Sequence, residues 1–110
     1  MGSERLRKER IADTEGGQRL ANEIIDGYNE PDEHGMVTVR CECGQPTCHE
    51  PLRVSQEVYE RVRSDSMHFL VFPGHEFPEA EDIVEKDPGY EIVRKHEEMR
   101  PMVERSDPRN

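Results

Sequence analysis

The apolar residues of this chain fall into short clusters set apart by charged and turn-forming stretches, and the spacing inside each cluster predicts an element. Met36-Val37-Thr38-Val39-Arg40-Cys41 alternates and is β-branched, which predicts a strand with Val37, Val39 and Cys41 on one face. Leu52-Arg53-Val54 makes a short second strand. Ser55 then offers an N-cap to a helix from Gln56 to about Arg63, along which Val58, Tyr59 and Val62 form a stripe at i, i+1 and i+4. Ser64-Asp65-Ser66 closes that helix. Met67-His68-Phe69-Leu70-Val71-Phe72, the most apolar run, reads as a third strand ended by Pro73-Gly74. An acidic segment follows, with a short helix expected over 79–85. Asp87-Pro88-Gly89 is a turn, and Tyr90-Glu91-Ile92-Val93-Arg94-Lys95 is the last strand.

The ends are less regular. Residues 3–28 are helix-prone, but Gly16-Gly17 is expected to interrupt them. Only 18–26 carries a compact stripe, with Leu20 to Ile24 and Ala21 to Ile25 at i,i+4, and Gly27 stands where a C-cap glycine belongs. Packing of this stripe on the strands is the first reading, and contact with a partner helix the second. Residues 28–35 are turn-rich and acidic, and from His96 onward the chain is charged and contains two more prolines. The pattern therefore predicts an α+β fold with about four short strands, a central helix and an N-terminal helix. One metal-stapled domain at 18–95 is expected between flexible charged tails at 1–17 and 96–110.

Composition explains why a staple is expected. Leu, Ile, Val and Phe together make up 21 of 110 residues, at the roughly 20% level below which a charged chain tends to stay disordered. Fifteen of them lie between positions 35 and 95, so the middle folds around a thin core. The formal net charge of −10 argues against nucleic acid, whose phosphates require a basic face. The one basic run, Arg5-Leu6-Arg7-Lys8-Glu9-Arg10, is broken by an acid and reads as a solvated segment. No stretch approaches the roughly 20 apolar residues of a membrane span, and no apolar signal segment opens the chain. A reducing cytoplasm is the expected compartment, because three cysteines cannot all pair within the chain.

Those cysteines are the densest chemistry present. Cys41-Glu42-Cys43-Gly44-Gln45-Pro46-Thr47-Cys48 brings three thiolate ligands together through a Gly-Gln-Pro turn, three quarters of a tetrahedral zinc site. The fourth donor is sought among His75, His49, His34 and His68, with water or Glu50 as a further alternative that would leave the site open. His49 directly follows Cys48, and neighbouring residues of an extended chain point to opposite sides. His75 sits in the turn after an apolar strand, where the backbone can aim back at Cys41. His75 is therefore preferred over His49. Ordinary buried thiols or a labile disulfide between two of the three are the competing readings.

Cys41-Glu42-Cys43-Gly44-x3-Cys48, Val58-Tyr59-Glu60-x-Val62-Arg63-Ser64-Asp65 and Phe69-x-Val71-x-Pro73-Gly74-His75-Glu76 together resemble a family of small uncharacterised bacterial proteins. The resemblance runs from about Gln18 to Lys95 and includes the closing Gly89-Tyr90-x-x-Val93-x-Lys95. In that family the Pro-Gly-His-Glu motif recurs and the residue after the third cysteine is usually not histidine. The resemblance thus implies Cys41, Cys43, Cys48 and His75 as ligands; it implies no activity.

Motifs of catalysis are absent: there is no Gly-rich phosphate loop, no H-E-x-x-H and no G-x-S-x-G. A nucleophile pair of Cys48 and His75 lacks any visible orienting group or oxyanion hole. Seven acids between Glu76 and Glu91 against Lys86 alone read as a solvated face, or as a docking surface for a basic partner. The function expected is a small zinc-binding module without catalytic activity that acts through a protein partner. The alternatives are a thiol redox sensor using Cys41, Cys43 and Cys48, and a zinc hydrolase with an open metal site.

Overall fold

In the computed structural model, residues 2–28 and 30–109 are described, with the side chains of 2–4 and 25–28 outside that description. A long helix, α1 (Gly2–Tyr28), precedes a hairpin of β1 (Met36–Arg40) and β2 (Pro51–Ser55). Helix α2 (Gln56–Arg63) leads to β3 (His68–Val71), then β4 (Glu81–Asp87) and β5 (Tyr90–Lys95). A 3-10 turn (Glu97–Met99) and helix α3 (Arg100–Arg105) follow. The class is α+β, as the hydrophobic pattern predicts.

β1 and β2 pair antiparallel with Val37 opposite Val54 and Val39 opposite Leu52, so the apolar positions of both strands share the inward face. The second sheet has the order β3-β5-β4, all antiparallel. The two sheets are joined by the residue after the β1–Cys41 stretch: Glu42 N–H donates to Leu70 C=O at 2.8 Å. Phe69, Leu70, Val71, Ile92 and Val93 are buried between the layers, together with Tyr59 and Val62 of α2. Helix α2 begins where the sequence places it, with Ser55 Oγ accepting the Val58 N–H at 3.1 Å.

Three expectations are corrected. First, 79–85 does not form a helix. It supplies most of β4, which pairs with β5 across the Asp87-Pro88-Gly89 turn with a bulge between Ile83 and Glu85. Glu and Ala favour a helix locally, but pairing along β5 and the inward positions of Glu81 and Ile83 override that preference. Val84, at the bulge, is left half exposed.

Second, Gly16-Gly17 does not interrupt α1, which also runs past Gly27 to Tyr28. The two glycines cost helix stability, yet Gly16 lies against α3, where a Cβ would stand 3.0 Å from Ser106 Oγ. Third, the buried face of α1 is not the apolar stripe. Leu20 and Ile24 are exposed, and Ile25 lies outside the described side chains. The face turned inward is Ile11, Ala12, Glu15, Gly16, Arg19 and Asn22, a helical spacing built largely of polar residues.

Burial also reaches beyond residues 18–95. Ile11, Ala12 and Glu15, in the span read as an N-terminal tail, and Met99, Val103 and Asp107, in the span read as a C-terminal one, are buried. Helix and buried side chains therefore also occur outside 18–95, in α1 and α3. The hydrophobic count missed these ends because salt bridges and hydrogen bonds hold them: Arg63 Nη2 donates to Asp107 at 2.5 Å, and Arg19 donates to Val103 C=O at 2.9 Å. Among the described residues no helix is long and apolar enough to cross a membrane.

Gly17 faces open space, and a Cβ added there would have no neighbouring atom within 4 Å. Gly17→Ala should therefore raise the unfolding free energy by about 1 kcal/mol, the helix-propensity difference. Chemical denaturation checks it, with no gain expected from Gly16→Ala.

Candidate metal centre

The chain enters the site from β1. An extended backbone sends alternate side chains to opposite sides, so Cys41 and Cys43 reach the cluster while Glu42 points into the interior behind it. Glu42 accepts there from Leu70 N–H and Asn22 Nδ2, both at 2.9 Å. Gly44 then turns the chain with φ +85°, a left-handed conformation that glycine adopts without penalty. The turn passes tightly beneath α1, since a Cβ at Gly44 would lie 2.8 Å from Ile11 Cγ2 and 3.1 Å from the Ile11 carbonyl oxygen. The Cys48 N–H donates to Gln45 C=O at 3.0 Å and brings the third sulfur back.

His75 arrives from the other sheet. After β3 the chain reverses at Pro73-Gly74, with Gly74 at φ +88° and His75 N–H donating to Phe72 C=O at 2.9 Å. Glu91 Oε1 accepts from Gly74 N–H at 3.3 Å, which fixes the turn to β5. The imidazole tilts against Phe72 with ring centroids 5.1 Å apart.

The structure brings Cys41, Cys43, Cys48 and His75 together, with their donor atoms all within 4.8 Å of one another. His75 Nδ1 lies 3.6 Å from Cys41 Sγ and 3.6 Å from Cys48 Sγ. A tetrahedral ion with metal–sulfur bonds of about 2.3 Å and metal–nitrogen bonds of about 2.0–2.1 Å has a sulfur–nitrogen edge of about 3.5–3.6 Å. The remaining candidates stand elsewhere: His49, Glu50 and His34 are exposed, and His68 lies 3.7 Å from Asp65.

Cys41 and Cys43 are fully buried, whereas Cys48 and His75 are half-buried. Burial raises the Cys41 thiol far above its ordinary range, and the neighbouring Cys43 and Cys48 sulfurs add to it; the Phe72 N–H, 3.1 Å from Cys41 Sγ, opposes them. Burial likewise raises Cys43, against an N–H from Gln45. Sulfurs buried as Cys41 and Cys43 are favour the thiol form unless a cation neutralises them, and a bound divalent ion inverts that balance. N–H donors aimed at the sulfurs are the outer-shell contacts that orient metal thiolates. Nδ1 sits equally far from the two sulfurs, as one vertex of a tetrahedron does.

Sequence reasoning missed the framework around these ligands. Gln18 Oε1 accepts from Gly44 N–H at 2.8 Å and Gln18 Nε2 donates to Gln45 C=O at 3.1 Å. Asn22 bonds both backbone groups of Arg40 at 2.8 Å. Polar residues carry no periodic hydrophobic signal, so only their i, i+4 spacing on a helix could have marked them. Comparison with protein-family models, with curated proteins and with solved structures returns no significant match.

Gly44→Ala should destabilise the protein by more than the roughly 1 kcal/mol of an ordinary left-handed strain, because the added carbon also meets Ile11 backbone and side chain. A variant with wild-type stability in a denaturant titration would contradict this geometry.

Proposed function

We propose that the chain is a zinc-binding module in which Cys41, Cys43, Cys48 and His75 hold one Zn2+ as a closed structural site. The observation that carries this reading is the pair of 3.6 Å distances from one imidazole nitrogen to two sulfurs, the edge length of a tetrahedral zinc centre. Four protein donors fill such a centre, which supports a staple over an open hydrolytic site. The ion would tie the loop after β1 to the turn after β3, at the seam between the two sheets. The module has no catalytic step of its own and acts through a protein partner. Support for that comes from Leu6, Leu20 and Ile24, which are about half exposed on α1.

A second reading follows from the half-buried Cys48. As the sulfur most open to solvent, it is where a peroxide would react first if the site served as a thiol sensor. Peroxide-driven zinc release with a reversible structural change favours the sensor, and retention of zinc favours the staple.

Native mass spectrometry of untagged protein should find one zinc per chain. Cys41→Ser, Cys43→Ser and Cys48→Ser should each abolish tight binding. His75→Ala should release or greatly loosen the ion and His49→Ala should leave it in place. Folded protein that purifies without metal from zinc-supplemented medium would sink the reading.

Chelation should also unfold much of the domain. Structural zinc contributes about 10–16 kcal/mol of apparent binding energy in small peptides, against typical domain stabilities of about 5–15 kcal/mol. Circular dichroism and amide exchange with and without a strong chelator measure this. An unchanged melting temperature would show that the polar and apolar contacts suffice alone.

A further inference from the structure

α1 closes over the cysteine loop through side chains on one face. Gln18 and Asn22 hold the loop backbone by amide hydrogen bonds, and neither carries a titratable group. One turn earlier, Glu15 lies against the same loop, with its Cγ 3.1 Å from the position of a Cβ on Gly44. Its Oε1 accepts from Lys95 Nζ at 2.8 Å, and Lys95 Nζ also reaches Glu81 Oε1 at 3.3 Å. All three side chains are 0% exposed.

This triad joins α1, β4 and β5 with two carboxyls and one ammonium. Fully ionised, it leaves one surplus negative charge in a dry interior, where an unbalanced charge is costly. Glu15 Oε2 has no hydrogen-bond partner among the described residues. The other charges facing Glu15 are Glu42, from the cysteine loop, and Arg19, one turn further along α1. Burial is the largest influence, followed by Glu81; together they outweigh Lys95 and push Glu15 up to about 8.

We propose that α1 is a proton-controlled clamp over the cysteine loop, with Glu15 as its catch and Lys95 and Glu81 as the seat. With the proton bound, the triad is charge-balanced and α1 stays docked. With the proton lost, the surplus charge favours undocking and frees the loop beneath. The clamp does not require an ion; only its effect on ion release rests on the zinc reading.

The sign follows from the two states. Undocked and solvated, Glu15 ionises near its ordinary value of 4.5, and docked it holds its proton to about 8. Docking therefore takes up a proton in that window. Its stability is full below the lower value, falls as pH rises through the window, and levels off above the upper one. The opening equilibrium rises by up to about tenfold per pH unit within it.

The test uses the full chain with 13C-labelled glutamate carboxyls, titrated by NMR from pH 5 to 9.5 with and without chelator. A carboxyl with a midpoint near 8 is expected, and Glu15→Gln should delete it. Denaturant unfolding should lose stability with pH in the wild type and much less in Glu15→Gln. Zinc transfer to a colorimetric chelator should speed up with pH more in the wild type than in that variant. If Glu15→Gln does not fold, Glu81→Gln should keep the high-midpoint signal but move it down. Glutamate carboxyls that all titrate below about pH 6, or a Glu15→Gln protein that keeps the high signal, would overturn the clamp. Metal-free protein with the high signal would overturn the zinc reading and leave the clamp standing.

Discussion

The fold turns on one buried carboxyl. Glu42 sits between two cysteines that face the other way, fully enclosed, and it bonds the side chain of Asn22 on α1 and the backbone of Leu70 in β3. Burial raises its affinity for a proton, while Asn22, Leu70 N–H, Arg63 and Arg19 counter this in turn. Deleting the Asn22 side chain would leave a buried Glu42 oxygen unsatisfied. Because successive side chains of an extended segment alternate sides, Glu42 on one side puts Cys41 and Cys43 together on the other, all three buried. The C-E-C order thus carries two instructions at once: one side builds the polar interior, the other presents a pair of sulfurs.

Around that residue the interior is unusually ionic for so small a chain. Arg19 donates to the carbonyl oxygens of Ser66 and Val103 and stacks over the Phe69 ring 4.4 Å from its centre. Arg63 pairs with Glu23 and Asp107, and Arg109 reaches Glu23 and Glu60 from the far end of the chain. Such pairs contribute little net stability, since desolvation cancels much of the attraction. Their directional geometry instead fixes how α1, α2 and α3 dock, which a thin apolar core does only loosely. The role is one of specificity, and it accounts for a chain that is highly charged yet has an enclosed centre.

The strands and α2 were legible because their signals are local. Alternating Val37 and Val39, the Ser55 cap and the unbroken Phe69-Leu70-Val71 run each report burial directly. The cysteine cluster was legible for the same reason, and the choice of His75 followed from a glycine turn at the end of an apolar strand. β4 was hidden because its acids favour helix locally and become a strand only through β5. The α1 face was hidden more deeply. Leu20 and Ile24 formed the visible stripe, yet Arg19 and Asn22 are the residues inside, since their partners come from loops and strands distant in sequence. A hydrophobic pattern detects oil, and here much of the contact is between charges.

The two halves of the cysteine cluster are consequently held by different forces. Cys41 and Cys43 belong to a segment fixed by Glu42, Asn22 and Gln18, so their sulfurs are positioned by the fold. Cys48 and His75 lie on turns with more solvent access, so their positions would gain most from a shared ion. Metal affinity in such a site comes from the preorganised half, and the mechanical benefit falls on the other. The ion would then act as the bolt between two turns, without which the thin core loses its seam. α1 covers the fixed half and would govern how firmly that bolt is seated.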